Sequence, residues 1–221
     1  MRQQLIVLQW IFWVIGLSLQ LLLTATLWQR AGREFPALFA YIGCLVVTTT
    51  ADILAYVVLG KASYYYRTYY WSAELLRQTA LFALVVSLAM HMLPEGRRTA
   101  AFGRVIALIG GAIWLGSVAL CYSTNLNNWM TTVARNLSFF TAALNLVAWF
   151  MFARVQPRDV QRLMIAGGLG LQMTGEAIGQ AVRQMNVSVQ VTAGGSIFIV
   201  LTHLLCLFIW WRSLTLEPRY H

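Results

Sequence analysis

The chain has 221 residues, of which 59% are hydrophobic and only 10% are charged, against roughly 25% charged residues in a typical soluble domain. This composition excludes a sizeable water-soluble domain and predicts one membrane-embedded unit over residues 1–221. The net charge of +9 would suggest nucleic-acid binding in a soluble protein. Here the arginines lie at the ends of apolar runs, where they anchor a protein in anionic headgroups, so we expect membrane lipids and no nucleic acid as partners.

Seven apolar runs are each long enough to span about 30 Å of hydrocarbon as a helix. The first run is too long for the hydrophobic region of a signal peptide, and we interpret it as a retained helix. The predicted spans are 5–28, 36–59, 71–93, 102–122, 131–153, 163–185 and 195–214. Short polar connections join them. The sequence therefore predicts an all-α polytopic membrane protein, a seven-transmembrane-helix bundle forming a single domain.

Basic residues flank the predicted helices unevenly. Ten arginines fall on the side of the bundle that carries the loops 94–101 and 154–162, against six basic residues on the other side. Cytoplasmic loops carry the excess of basic residues, so this asymmetry predicts an N-terminus outside and a C-terminus in the cytoplasm. The two arginine-rich loops are expected to contact a partner protein or anionic lipid.

An aromatic stretch, YYYRTYYWSAELLR at residues 64–77, precedes and opens the third predicted helix. Tyrosine and tryptophan concentrate where a membrane meets water, so this stretch is expected at the extracytoplasmic surface, with the helix beginning at Trp71. Glu74 and Arg77 then lie just inside the bilayer. Ionisable groups there are costly and mark functional sites.

Polar residues share one face on five predicted helices and gather in the outer half of the bundle. At 1.5 Å per residue, they lie about 3–14 Å below the outer helix ends. The candidate ligand-binding residues are Asp52, Glu74, Arg77, Arg135, Glu176, Gln180, Arg183 and His203. They predict a charged pocket that opens outward and is sealed inward. Because an arginine fork suits carboxylate or phosphate, the expected ligand is small and polar or anionic.

Two features of this pocket leave alternatives open. The three intramembrane acids and three intramembrane arginines would also be explained by ion pairs that only fix helix packing. The G-x-x-x-G pair Gly175 and Gly179 in helix 6 is typical of close helix packing, or else marks a helix that bends when a ligand engages Glu176. His203 is expected to face Glu176, a pair that would suit proton coupling.

Several catalytic and cofactor classes are disfavoured by the sequence. The only lysine, Lys61, lies in a loop, which argues against a retinal Schiff base. His91, His203 and His221 are too dispersed for a zinc site, and the depths of the first two disfavour a haem held by both. Neither a nucleophile motif nor a CxxC pair is present. We therefore expect no metal, no cofactor and no enzymatic activity.

The segments EFPALFAYI (34–42) and YYYRTYYWSAELL (64–76) resemble those of small seven-helix bacterial membrane proteins. They also resemble the seven-helix sensor regions that precede some bacterial histidine kinases. This resemblance implies the bacterial cytoplasmic (inner) membrane and extracytoplasmic sensing relayed to an output domain. Only TLEPRYH follows the last predicted helix, so we expect the output to be supplied by a partner.

The leading hypothesis is thus a membrane sensor or binding module that signals through a cytoplasmic or membrane partner protein. Glycine-rich helix 6 would be its moving part. The first alternative is a small transporter or proton-coupled carrier in which Glu176 and His203 titrate. The second is a non-catalytic subunit of a larger membrane complex.

Overall fold

The computed structural model describes residues 2–31, 34–60, 63–92, 100–120, 126–154, 160–185 and 188–215. Within these ranges every regular element is a helix and no strand occurs, which confirms the all-α class. A turn of π-helix, Leu27–Ala31, continues the first helix. The helices are α1 Arg2–Thr26, α2 Pro36–Leu59, α3 Tyr64–Met92, α4 Ala100–Leu120, α5 Leu126–Arg154, α6 Val160–Gln184 and α7 Val189–Thr215.

Six of the seven helices begin earlier than the sequence predicted, and three of them begin at least five residues earlier. α3 starts at Tyr64 rather than Trp71, α5 at Leu126 rather than Thr131, and α7 at Val189 rather than Gly195. The aromatic stretch is therefore the first part of a helix and not a loop. The chain turns instead at Gly60, whose φ of 72° favours glycine, and neither glycine nor proline follows it before the end of α3.

Four helical segments are long and apolar enough to cross a bilayer, which indicates a membrane protein. They are Val7–Gln29, Pro36–Leu59, Tyr64–Met90 and Gln190–Thr215. The other three helices have comparable lengths, with 21 residues in α4, 29 in α5 and 25 in α6.

Six of the helices form a closed ring in the order α1, α2, α3, α5, α6, α7, in which each helix packs against the next and α7 returns to α1. α4 lies outside this ring, against α5 and α3. The α2–α3 pair faces the α6–α7 pair across an apolar core, while α1 and α5 close the two ends. Fully buried side chains fill the space between the pairs, among them Ile42, Leu84, Leu169, Met173 and Trp210.

The C-terminal half of α6 and the N-terminal half of α7 approach each other through small residues. A Cβ atom added to Gly179 would lie 2.9 Å from the carbonyl oxygen of Gly195, so the two backbones are nearly in contact. One turn away, Gly175 faces the side chain of Thr202 equally closely. The close packing predicted from the G-x-x-x-G pair is confirmed.

The N-terminal half of α6 is held by side-chain donors from both neighbouring helices. Trp210 of α7 donates from Nε1 to the carbonyl oxygen of Ile165 at 2.9 Å. Asn145 of α5 donates from Nδ2 to the carbonyl oxygen of Ala166, also at 2.9 Å. The Trp210 bond and the glycine contacts tie α6 to α7 along most of its length, and the Asn145 bond ties it to α5. These contacts resist bending of α6 alone.

Some predicted features lie outside the described residues. The arginine-rich loops 94–101 and 154–162 fall largely there, as do Lys61 and His221. The side chain of His91 is also outside what the structure describes.

Candidate functional site

Arg77 of α3 is the centre of the polar cluster. Its Nη1 donates to Oδ2 of Asp52 on α2 at 2.7 Å, and its Nη2 donates to Oε2 of Glu74 at 2.7 Å. Nε donates to the same Glu74 oxygen at 3.2 Å, so that carboxylate is held by two donors of the guanidinium. The spacing of three residues places Glu74 and Arg77 on one face of α3, and Asp52 reaches them from the neighbouring helix. This arrangement links α2 to α3 inside the bundle.

Glu176 extends the cluster across the core to α6. Its side chain is buried, and its Oε1 accepts a hydrogen bond from Nε2 of Gln78, which also donates to Oε1 of Glu74 at 3.3 Å. The carboxylates of Glu74 and Glu176 therefore accept from the same amide nitrogen. From α5, the hydroxyl of Ser138 lies 3.5 Å from Oε1 of Gln78. Side chains of four helices therefore meet at this level of the bundle.

Arg77 pairs with two of the three candidate acids, Asp52 and Glu74. Arg183 donates to Oε1 of Gln180 at 3.3 Å, and Gln180 lies one turn after Glu176 on α6. Arg135 lies half-buried on α5.

His203 of α7 is half-buried, and its electrostatic interactions are with Arg77 and Glu74. The predicted pairing of His203 with Glu176 is not among the hydrogen bonds or ion pairs found within the described ranges. The histidine therefore lies at the edge of the cluster.

One oxygen of the cluster has no partner. Oδ1 of Asp52 is buried, and it accepts no hydrogen bond from any residue that the structure describes. Buried polar atoms are nearly always hydrogen-bonded, and leaving one unsatisfied costs about 1–3 kcal/mol. The cluster therefore retains an acceptor for a donor from water or from a ligand.

A second polar contact lies one turn before Glu176 on α6. Nε2 of Gln172 donates to the hydroxyl of Tyr41 on α2 at 3.2 Å. The ring of Tyr41 packs edge-on against Trp210 of α7, with 5.8 Å between centroids. Gln172 and Glu176 thus give α6 two polar contacts, spaced by one turn, across the core.

Aromatic rings connect the first turns of α3 with α1 and α2. Trp13 packs edge-on against Tyr56 at 5.2 Å, and Tyr56 against Tyr66 at 6.0 Å. Tyr66 continues to Tyr70, which packs against Trp71 at 5.3 Å. Tyr66 is itself buried, and Tyr70 lies one turn before Glu74 on α3.

A shallow cavity lies at the other end of the bundle. It is lined by the start of α2, by Leu84 and Leu88 of α3, and by Arg162 of α6. Its surface is mainly apolar, and the candidate ligand-binding residues do not line it.

Sequence reasoning omitted Gln78, Tyr41, Gln172 and Ser138 from the candidate site. Gln78 had a detectable signal, because it follows Glu74 by one turn and shares its helical face. The other three residues lie on polar faces that the periodicity identified, but only the mutual rotation of the helices shows which members of a face meet.

Comparison of the chain with protein-family models, with curated proteins and with solved structures gives no match. The function is therefore inferred from the chemistry of the cluster.

Proposed function

We propose that all seven helices cross the bilayer, with the N-terminus outside, in the cytoplasmic membrane of a bacterium. The ring of helices supports a membrane-spanning position for α5 and α6. α5 packs between α3 and α6, α6 packs between α5 and α7, and together they complete the ring. α6 is less apolar than the four segments described above because it carries several polar residues. These residues, including Gln172, Glu176 and Gln180, are buried inside the protein. Its exposed positions include Leu171 and Ile178, which are apolar and suit contact with lipid.

We further propose that the protein is a membrane sensor or binding module whose ligand-binding element is the Arg77 cluster. The observation that carries this proposal is the double engagement of Arg77 by Asp52 and Glu74 within a membrane bundle. The carboxylates of Asp52 and Glu74 accept hydrogen bonds from guanidinium nitrogens that also suit the carboxylate or phosphate of a ligand. The two acids therefore occupy the positions where such a ligand group would bind.

In this mechanism, an anionic ligand displaces Asp52 or Glu74 from the guanidinium. Displacement of Asp52 would loosen α2 from α3, and displacement of Glu74 would disturb its link through Gln78 to Glu176 on α6. Because α6 is bound to α7 along its length, the two helices would shift together rather than α6 bending. A partner protein at the cytoplasmic face would detect the shift.

The test is a thermal-stability screen of the purified protein in lipid nanodiscs, using small carboxylates, phosphates and neutral polar compounds. We expect an anionic compound to raise the unfolding temperature, and we expect Arg77→Met to abolish this increase. Arg212→Met is the matched control, because Arg212 is exposed at the far end of α7, and it should leave the response intact. If no compound stabilises the protein, or if the response survives Arg77→Met, the proposal is wrong.

The buried position of Glu176, which shares the amide donor of Gln78 with Glu74, favours a second candidate, a small proton-coupled carrier. Such a carrier would move protons or a solute across liposome membranes, and the flux would disappear in Glu176→Gln. Flux that is unchanged in this variant would exclude the candidate.

A further inference from the structure

Two buried oxygen atoms on neighbouring helices accept no hydrogen bond from any residue that the structure describes. One is Oδ1 of Asp52 on α2, and the other is Oε1 of Gln20 on α1. Both residues are almost fully buried, with 7% and 2% of their surface exposed. Because a carboxylate oxygen and an amide carbonyl oxygen are both acceptors, they cannot satisfy each other. Each therefore needs a donor or a cation from outside the described side chains.

Thr49 of α2 holds the amide of Gln20 near Asp52. Nε2 of Gln20 donates to Oγ1 of Thr49 at 3.2 Å, which fixes this amide against α2. Asp52 follows Thr49 by three residues, so the two side chains share a face of α2 with about 4.5 Å of helix rise between them. The amide of Gln20 therefore lies beside the face of α2 that carries Asp52.

The directions of the two side chains bring their free oxygens closer. Trp13 contacts Tyr56 and Gln20 contacts Thr49, so α1 and α2 are antiparallel and Gln20 is level with Thr49. Asp52 lies three residues further toward Tyr56. Side chains lean toward the N-terminus of their own helix, so Gln20 leans toward the level of Asp52, and Asp52 leans toward the level of Gln20. Both oxygens are thus directed to the same space between α1 and α2.

The chemistry of these oxygens determines which class of ligand they suit. A carboxylate, an amide carbonyl and the hydroxyl of Thr49 are hard oxygen ligands, which alkali and alkaline-earth ions prefer and transition metals do not. The carboxylate of Asp52 already binds Arg77 through Oδ2 at 2.7 Å, which favours a singly charged ion over a doubly charged one. One turn beyond Asp52, the rings of Tyr56 and Trp13 pack edge to face at 5.2 Å, which leaves no room between them for an organic ammonium group.

We propose that Asp52, Gln20 and Thr49 form a binding site for a compact alkali cation of the size of Na⁺ between α1 and α2. The cation would bind Oδ1 of Asp52 and Oε1 of Gln20, and water would complete its coordination. The site uses the carboxylate oxygen of Asp52 that is not bonded to Arg77. It therefore goes beyond the proposed function and does not require an anionic ligand.

The first measurement is the unfolding temperature of the full chain in nanodiscs of a neutral lipid. NaCl replaces N-methyl-D-glucamine chloride stepwise, so the pH, the ionic strength and the chloride concentration stay constant. We expect a saturable rise of a few degrees with Na⁺, because a cation that binds the folded state stabilises it. An unchanged temperature would overturn the proposal, since water, a proton or a reoriented amide of Gln20 would then satisfy the two oxygens.

Gln20→Leu tests whether the response comes from this site. It should abolish the rise, because it removes the amide oxygen and keeps a side chain of similar shape. Gln172→Leu is the matched control, since Gln172 is also buried and its Oε1 also lacks a partner among the described residues. Its amide contacts Tyr41, which lies about 16 Å along α2 from Asp52, so the response should remain. A response that survives Gln20→Leu, or that is lost in both variants, would overturn the proposal.

The second measurement is made on the unmodified chain, so it does not depend on the folding of a variant. Binding of radioactive Na⁺ in nanodiscs is measured by scintillation proximity, with NaCl and N-methyl-D-glucamine chloride as competitors. We expect saturable binding that NaCl alone displaces, and absence of such binding would overturn the proposal. Neither measurement uses an anionic ligand. A failed ligand screen would therefore contradict the binding function at Arg77 and leave these results unaffected.

Discussion

The contact between α6 and α7 makes a quantitative prediction at Gly179. A Cβ atom at this position would lie 2.9 Å from the carbonyl oxygen of Gly195 and 2.8 Å from Cδ1 of Ile199, and it would lie closer still to Cγ1 of Ile199. An unstrained carbon–oxygen contact is about 3.3–3.6 Å, so the contact with Gly195 alone would push the two helices apart by about 0.4–0.7 Å in Gly179→Ala. Ile199 is β-branched and has one strongly preferred χ1 rotamer in a helix, and the Gly195 carbonyl belongs to a helix backbone, so neither group moves away easily.

Gly43→Ala on α2 is the matched control, because nothing lies within 4 Å of a Cβ atom added there. Both substitutions gain about 1 kcal/mol of intrinsic helix propensity, which cancels in the comparison. Overpacking typically costs about 1–3 kcal/mol, so Gly179→Ala should be less stable than Gly43→Ala by that amount. Denaturing-detergent titration in mixed micelles measures both free energies of unfolding. Equal stabilities for the two variants would refute the close approach of α6 and α7.

Two further substitutions test the polar contacts by the same titration. Arg77→Met should lower the free energy of unfolding by about 3–5 kcal/mol, because it leaves two buried carboxylates without their counter-charge. Adding Asp52→Asn and Glu74→Gln should recover most of the loss, and a triple variant no more stable than the single one would contradict the pairing. Tyr41→Phe should cost about 1–3 kcal/mol, because it leaves the glutamine donor on α6 without its acceptor. Tyr65→Phe, at an exposed position, should change stability by less than about 0.5 kcal/mol, and equal effects of the two tyrosine substitutions would count against the buried bond.

Helix periodicity predicted much of this architecture. Apolar runs located each of the helices that the structure describes, and spacings of three and four residues identified the faces that carry Asp52, Glu74 and Glu176. Helix starts were less predictable, since Tyr64 and its neighbours are compatible with either an interfacial loop or a helix. The turn at Gly60, and the absence of glycine and proline between it and the end of α3, allow the helix to begin at Tyr64.

The sequence did not predict which side chains of the cluster bond to each other. Arg77, Arg135 and Arg183 were all predicted in the outer half of the bundle, and the sequence does not indicate that Arg77 pairs with both Asp52 and Glu74. Which arginine meets the acids depends on how each helix is rotated about its axis and on the distance between helices. In α6 these are set by contacts such as that of Gly179 with Gly195, which a single-sequence pattern does not specify.

The central claim is that charged side chains from neighbouring helices meet inside the bundle around Arg77. Solid-state NMR of the protein in lipid bilayers tests it most directly, by measuring the dipolar coupling between the guanidinium nitrogens of Arg77 and the carboxyl carbon of Asp52. The separation of 2.7 Å between Nη1 and Oδ2 predicts a strong coupling, while Glu34 should give none. Resolved signals from both side chains without a coupling between them would contradict the claim.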